Sequence, residues 1–178
     1  MRLAKFLIPL VVAVSLILAA SVASADNVYA AASATPTVAK AAKPATADDI
    51  KSVEKAHKSA MTRAKAIEKS AANAAMMDIV AVRKHVEGLG ASIKKASKHF
   101  ESAVSKMKTA DKNKVEKEIA SIRAGYKRAT EKHVALKAET AKPKPDAKKI
   151  SKLSADTHML IAKADKDLAA IKKKLDIK

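Results

Sequence analysis

Apolar residues recur at alternating spacings of three and four along most of the chain, which places their side chains on one face of an α-helix. Thr46 can cap the first such helix, because Asp48 and Asp49 follow where acidic groups suit the positive helix end. The first stripe is half alanine and consists of Ile50, Val53, His57, Ala60, Ala64, Ile67, Ala71 and Ala74. The second stripe consists of Ile79, Val82, Val86, Leu89, Ile93, Ala96, Phe100, Ala103 and Met107.

The second stripe is offset by one residue from the first, and two interpretations remain open. In one, the chain turns near Asn73 and forms two helices of similar length. In the other, one long helix runs from Ala47 to about Gly88 and breaks there, since glycine is expected just past a helix end and is costly inside one. The unbroken stripe through Leu89 favours the turn, whereas Gly88 and Gly90 favour the break. Of the two, we favour the turn.

Two more stripes follow a polar turn at 109–113, where Asp111 can serve as an N-cap. Pro143 and Pro145 end the third helix, because proline lacks the amide donor and clashes in a helix interior. Asp146 can cap the last helix. The third stripe comprises Val115, Ile119, Ile122, Tyr126, Ala129, His133 and Leu136. The fourth comprises Ile150, Leu153, Thr157, Leu160, Ala164, Leu168, Ile171 and Leu175.

Helices of about 30 residues joined by short polar turns must lie antiparallel and bury their stripes against one another. No segment of the chain has the sequence pattern of a β-strand. The pattern therefore predicts an all-α fold over residues 46–178. We expect an elongated antiparallel up-down bundle of three to four long helices, or a coiled coil.

Residues 1–25 have the three parts of a secretory signal peptide. Arg2 and Lys5 form a basic start, an uncharged apolar run follows, and Ala23-Ser24-Ala25 supplies the small residues that a signal peptidase accepts. Residues 6–25 are also long enough to span a bilayer, so an uncleaved anchor is the alternative. We expect cleavage there or at a second acceptable site at 28–30. The product would then be extracytoplasmic, either periplasmic or secreted, with no transmembrane segment.

Residues 26–45 hold too few large apolar side chains to offset the entropy cost of ordering, so we expect a disordered linker of Ala, Thr, Pro and Lys. Cysteine is absent, which excludes disulfides, thiolate metal sites and a Cys nucleophile. Phe100 and Tyr126 are the only aromatic residues after Tyr29. Packing of small side chains must therefore stabilise the fold, and we expect its stability to be marginal.

Basic residues are in large excess. The formal net charge is +18, and losing Arg2 and Lys5 with the signal peptide leaves +16. If the last three helices alternate in direction, two lysine-rich ends result. One end, which we name the lysine pole, gathers Lys106, Lys108, Lys112, Lys114, Lys172, Lys173, Lys174 and Lys178. The opposite turn holds Lys142, Lys144, Lys148 and Lys149.

Two positive ends are expected to attract a polyanion over about a Debye length, near 8–10 Å in physiological salt. A solvated face that only keeps the protein soluble is the alternative interpretation. Outside the cytoplasm the abundant anions are envelope polymers, lipid head groups and released nucleic acid. Nucleic acid would be bound only non-specifically through its phosphates, because aromatic residues that stack on bases are almost absent. Self-association into a homo-oligomer through the apolar seams is a further possibility.

Histidine and methionine side chains suggest a different function, that of a periplasmic copper- or haem-binding helical bundle. His57 and Met61 are four residues apart, and the expected helix directions place His57 near the level of His99 and His85 near that of His133. Methionine is also a common gap-filler in cores, and the histidines show no repeated ligand spacing. We therefore predict no bound cofactor.

The usual signatures of enzymes are missing. Gly88-Leu89-Gly90 lacks the third glycine and the preceding strand of a dinucleotide loop, and no zinc-protease, serine-hydrolase or P-loop signature occurs. A narrow alanine-rich bundle also leaves little room for a substrate cleft. We expect an exported, non-enzymatic basic protein that associates electrostatically with anionic envelope material or with itself.

Overall fold

The computed structural model describes residues 45–178, and their backbone is helical apart from short connections. The predicted signal peptide and all of the predicted linker except Ala45 lie outside the described residues. The described part of the chain contains α-helices and no strand, which confirms the all-α prediction. The helices are α1 (Ala45–Ala71), α2 (Ile79–Lys106), α3 (Thr109–Lys114), α4 (Glu116–Ala141) and α5 (Ala147–Lys174).

The chain turns between α1 and α2, as the favoured interpretation predicted. A single 3-10 turn at Ala74–Met76 lies in this connection, and the side chain of Asn73 caps it. Asp78 caps α2 by accepting hydrogen bonds from two backbone amides of the first turn, at 2.9 and 3.0 Å. Gly88 and Gly90 lie inside α2 and do not end it.

The connection from α2 to α4 differs from the prediction. Asp111 is not an N-cap: it lies in the first turn of α3, because backbone hydrogen bonds to the Lys108 carbonyl already start the helix there. The backbone leaves helical geometry at Val115, with φ −124° and ψ 20°, before α4 begins. The C-terminal end of α4 is at Ala141, two residues before Pro143. Asp146 caps α5 as predicted, accepting a hydrogen bond from a backbone amide at 3.1 Å.

The stripes of the four long helices are buried together in one hydrophobic core. The prediction fails at Ala74, which is exposed in the α1–α2 turn. In α5, Ser154 and Ile161 are fully buried, whereas Leu153 and Leu160 are only partly buried against the core. The hydroxyl of Ser154 tolerates burial because it donates a hydrogen bond to the Ala64 carbonyl at 2.7 Å.

Each long helix packs against two others: α1 contacts α2 and α5, and α4 contacts α2 and α5. Ion pairs join the end of α2 to the start of α1, and the end of α5 to the starts of α1 and α4. These pairs are Lys106 with Asp49, Lys172 with Glu54 and Lys174 with Glu118, each at 2.6 Å. None of the described helices is long and apolar enough to cross a bilayer.

Candidate functional site

Three hydrogen-bonded polar side chains cross the core and join α1, α4 and α5. His57 Nδ1 lies 3.0 Å from Oδ1 of Asp165, and His57 Nε2 lies 2.7 Å from the hydroxyl of Tyr126. His57 is fully buried and Tyr126 is 4% exposed, whereas the Asp165 side chain is 43% exposed. Phe100 packs edge-on against Tyr126, with 5.9 Å between ring centroids. The three side chains form a continuous path from a carboxylate near solvent to a buried phenol.

The hydrogen-bond partners assign the tautomer of His57. An ionised carboxylate only accepts hydrogen bonds, so Nδ1 carries the proton, and Nε2 accepts from Tyr126. Burial lowers the pKa of His57 below its usual 6.5, although the neighbouring Asp165 opposes this effect. Burial, with repulsion from the Asp165 and Glu101 carboxylates, raises the pKa of Tyr126 well above its usual 10.0. Both rings are therefore neutral at pH 7.

This arrangement stabilises the fold, and of its three side chains only that of Asp165 is substantially exposed to solvent. Both nitrogens of His57 are occupied by hydrogen bonds, and a phenol with a raised pKa is a poor nucleophile. Each polar atom of the pair His57 and Tyr126 has a partner, which offsets the cost of burying it. The partners of His57 are 69 and 108 residues away in the chain, so their identity was not predictable from local spacing.

His57 and Met61, the first two candidate metal ligands, are oriented toward the protein interior. To bind a metal, His57 would have to exchange its hydrogen bond from Tyr126 for a metal bond, because its other nitrogen carries a proton for Asp165. Met61 is partly buried against the hydrophobic core. Among residues 45–178, no group of three or more His, Asp and Glu side chains is placed to hold a metal ion.

The other three candidate ligands have separate surroundings. His133 lies with its Nε2 3.1 Å from the Val86 carbonyl oxygen and donates to it. His99 Nδ1 is 3.7 Å from a carboxylate oxygen of Asp49, beyond hydrogen-bond distance. His85 has a buried Nδ1 with no hydrogen-bond partner. Among residues 45–178, the four candidate histidines do not come together in a group of three or more that could hold a metal ion.

The lysine pole divides into paired and unpaired side chains. The cross-helix ion pairs named above, and a looser pair with Asp111 at 3.7 Å, occupy Lys106, Lys114, Lys172 and Lys174. Within the described residues, four members have no carboxylate at ion-pairing distance: Lys108, Lys112, Lys173 and Lys178. Two of these ion pairs, those of Lys106 and Lys172, place the ends of α2 and α5 beside the first half of α1, whereas binding of a polyanion by the lysine pole stays a prediction.

At the opposite turn, part of the predicted basic charge is neutralised by a buried carboxylate. Glu139 is 2% exposed and accepts from Lys142 at 2.8 Å and from a backbone amide at 3.2 Å, with Lys149 at 3.1 Å. The hydrogen bond from Lys142, and then that from Lys149, lowers the pKa of Glu139 to about 2. Lys144 and Lys148 are exposed, and neither has an acidic partner in the described part.

A basic groove between α1 and α2, which sequence reasoning missed, has a volume of about 450 Å³. No carboxylate lines it. We name it the α1–α2 groove, and its lining residues are Lys55, Lys58, Ser59, Thr62, Arg63, Ala66 and His85. Side chains of α1 at intervals of three or four supply most of this lining, and α2 supplies the histidine.

Glycines inside α2 make room for two side chains from neighbouring helices. A Cβ atom at position 88 would overlap the guanidinium of Arg63, and one at position 90 would overlap the ring of His133. Gly88 and Gly90 are therefore positions where side chains of neighbouring helices lie close to the α2 backbone, and they do not mark a helix end. The sequence signal for these contacts was a glycine within an unbroken apolar stripe.

Two kinds of polar feature are thus present: the hydrogen-bonded side chains of Asp165, His57 and Tyr126, of which only Asp165 is substantially exposed, and basic surfaces on which some lysines have no carboxylate partner among residues 45–178. Comparison of the chain with protein-family models, with characterised proteins and with solved structures found no match. The exposed basic surfaces are therefore the feature of the described residues on which a proposed function can rest.

Proposed function

We propose that the protein is an exported basic helical bundle that associates electrostatically with anionic material of the cell envelope, either polymers or lipid head groups. In this proposal a signal peptide and a linker precede four long helices in an elongated, antiparallel up-down arrangement. The observation that carries the proposal is the excess of exposed basic side chains that have no acidic partner within residues 45–178.

Internal ion pairs account for a minority of the basic side chains in the described part of the chain. The Lys and Arg residues in such pairs are Lys106, Lys114, Arg123, Lys132, Lys142, Lys149, Lys172 and Lys174. Many of the other basic residues are exposed on all four long helices, as Lys51, Lys95, Lys127 and Lys166 are. Because these charges do not stabilise one another, an external anion is the partner that would relieve their repulsion.

Burial of the apolar stripes favours this proposal over self-association through the seams. The stripe residues already contact one another inside one chain, so a second copy could reach them only if the fold opened. Among residues 45–178 few large apolar side chains remain exposed, and single exposed apolar residues are common on monomeric proteins. They are Met76, Val80, Val134 and Met159.

Co-sedimentation with lipid vesicles tests the proposal. The purified protein should sediment with vesicles of phosphatidylcholine containing phosphatidylglycerol and stay in solution with phosphatidylcholine alone. Replacing the four unpaired lysines of the lysine pole, 108, 112, 173 and 178, by glutamine should weaken this binding. The matched control replaces four exposed lysines outside both basic ends, namely 127, 152, 163 and 166, by glutamine.

The two variants separate a localised surface from general charge. Weaker binding of the pole variant than of the control variant would assign the contact to the lysine pole. If binding of both variants is weakened equally, the association is still electrostatic, but the lysine pole is not its specific site. Equal sedimentation of the wild-type protein with neutral and anionic vesicles would contradict the proposed function.

A further inference from the structure

We infer that the α1–α2 groove binds a phosphoryl group, carried on an envelope polymer or a lipid head group or present as free phosphate. The inference rests on the proposed function and names the anionic group that one surface of the protein recognises. It depends on three observations: the charges that line the groove, the placement of Arg63 and the unpaired nitrogen of His85.

The lining of the groove presents hydrogen-bond donors and positive charge without a competing carboxylate. Lys55 and Lys58 are exposed on α1 and face the same groove. The acid nearest to them in the chain, Glu54, is engaged by Lys172 of α5 at 2.6 Å. Ammonium and guanidinium groups have no acceptor atoms, so an incoming phosphoryl oxygen is their natural partner.

Arg63 is held in the groove by the shape of α2. Its guanidinium lies against Gly88, where a Cβ atom of any other residue would overlap it. Arg63 is half-buried and has no carboxylate partner among the described residues. A planar guanidinium in this position can donate two parallel hydrogen bonds to a phosphoryl group, which an ammonium cannot do.

His85 supplies an unsatisfied polar atom beside these charges. Its side chain lines the groove, and its Nδ1 is buried without a hydrogen-bond partner. Buried polar atoms are normally paired, so this nitrogen calls for a ligand or a bound solvent molecule. A phosphoryl oxygen in the groove would accept a hydrogen bond from this nitrogen in the tautomer whose proton is on Nδ1.

The hydroxyl groups of the groove already have partners within the protein. Thr62 donates to the Lys58 carbonyl at 2.9 Å, and Ser59 lies 3.1 Å from the hydroxyl of Ser92. Ser92 in turn donates to the Gly88 carbonyl at 2.9 Å. The basic side chains and His85 therefore carry the binding, and the contact between Ser59 and Ser92 joins the two helices.

Nuclear magnetic resonance of the histidine rings, with inorganic phosphate as the probe, tests the site directly. Phosphate should shift the His85 ring signals in a saturable way, and sodium chloride at equal ionic strength should not. The ring signals of His99, which is not in the groove, should stay in place. A second arm adds polyphosphate and then phosphatidylglycerol vesicles, and the ligand that saturates His85 at the lowest phosphate concentration identifies the source.

Two charge-matched variants test which lysines take part. Lys55→Gln with Lys58→Gln should weaken phosphate binding about tenfold, because each removes a charge-assisted hydrogen bond. Lys148→Gln with Lys152→Gln removes the same charge from exposed positions of α5 and should leave the affinity within about twofold. Equal weakening by both pairs would overturn the site in favour of diffuse attraction.

Gly88→Ala tests the placement of Arg63 without removing a charge. The new methyl group would displace the far end of the Arg63 side chain, which is flexible, so the fold should persist while phosphate affinity falls. Gly125→Ala is the matched control, because its methyl group would meet α5 only at ordinary contact distances of 3.7 and 3.9 Å. Unchanged phosphate affinity in Gly88→Ala would contradict the assigned role of Arg63.

The outcomes distinguish this site from the proposed function. Absence of a His85 response to phosphate, polyphosphate and anionic vesicles overturns the groove site, even if the protein still sediments with anionic vesicles. A saturable response of His85 to phosphate without any binding to anionic vesicles or polymers supports the site and contradicts the proposed function.

Discussion

The Tyr126 hydroxyl donates a hydrogen bond to Nε2 of His57 across 2.7 Å in the interior of the protein. The two residues belong to α4 and α1, which are not among the helix pairs with extensive contact. Their hydrogen bond, with that from His57 to Asp165 on α5, therefore links helices across the core. The stability of the fold should depend on this link more than on any single apolar contact of the alanine-rich α1.

Tyr126→Phe should lower the free energy of unfolding by about 1–3 kcal/mol, because it leaves a buried histidine nitrogen without a donor. The substitution keeps the ring and its contact with Phe100. Urea denaturation monitored by circular dichroism measures the change. Loss of the donor should also raise the pKa of His57, since the neutral ring loses a hydrogen bond that only it can accept.

Thr130→Val is the control, because it removes a hydroxyl from the same helix that donates to the Tyr126 backbone carbonyl and makes no hydrogen bond to His57. It should change the free energy of unfolding by less than about 0.5 kcal/mol. Equal stability of Tyr126→Phe and the wild-type protein would show that the hydrogen bond to His57 contributes nothing.

Stability should fall as the pH drops through 6.5, the ordinary pKa of histidine. Burial lowers the pKa of His57 in the folded protein, so the unfolded chain binds a proton there at a higher pH than the folded chain does. The free energy of unfolding therefore decreases between 6.5 and the lower, folded pKa. The charged and titratable groups that act on His57 are Asp165, Glu54 and Tyr126.

Urea denaturation at about pH 7.5 and about pH 5.5 measures this dependence, which spans the unfolded pKa of histidine. His57→Gln should reduce the change in the free energy of unfolding between the two pH values, although the variant is less stable than the wild-type protein at both. His133→Gln should remove a further part, because burial also lowers the pKa of His133. If His57→Gln is too unstable, a histidine-ring titration of the wild-type protein decides: a His57 pKa above 6.5 would reverse the expected sign.

Glu139 should contribute stability above pH 4.5, which is lost as the pH falls toward 2. Its pKa is about 2 in the folded protein against 4.5 ordinarily, so acid protonates the unfolded chain first. In Glu139→Gln the melting temperature should fall less over this range than in the wild-type protein. Glu131→Gln, an exposed change on the same helix, should retain the wild-type acid sensitivity, and identical acid profiles for all three proteins would refute the role of Glu139.

The glycines of α2 and α4 should respond oppositely to alanine. Gly125→Ala should raise the free energy of unfolding by up to about 1 kcal/mol, because alanine is the better helix former and the site has room. Gly90→Ala should lower it, since the methyl group would overlap the His133 ring and break its hydrogen bond to the Val86 carbonyl. Thermal unfolding of both variants measures the contrast, and stabilisation by Gly90→Ala would show that His133 can leave that position without cost.

Much of the fold was predictable, because apolar periodicity and capping residues are local properties. The stripe through Leu89 predicted a continuous α2, and the side chains of Asp78 and Asp146 mark helix starts. Which residues of α5 face the core was less predictable. Ser154 has a polar side chain, and it can be buried because it donates a hydrogen bond to the Ala64 carbonyl on another helix. Asp111 illustrates a similar limit. It was predicted to cap a helix, but α3 begins before it, after Lys108, and no side chain caps that start.

The polar sites were predictable only in part. Charge counting predicted the lysine pole, but it could not show that Lys106, Lys172 and Lys174 are engaged by carboxylates of other helices. The hydrogen bonds of His57 and the lining of the α1–α2 groove depend on contacts between residues far apart in the chain. Gly88 was the one local sign of the groove, and its close contact with Arg63 appears only when two helices are packed together.

Binding to anionic vesicles as a function of sodium chloride concentration tests the central claim most directly. Vesicles of phosphatidylcholine with phosphatidylglycerol should bind the protein at about 0.05 M salt and release most of it by about 0.5 M, as the Debye length shortens. Neutral vesicles should bind little at any concentration. Binding that is absent at low salt, or that persists unchanged at high salt, would contradict an electrostatic association with envelope anions.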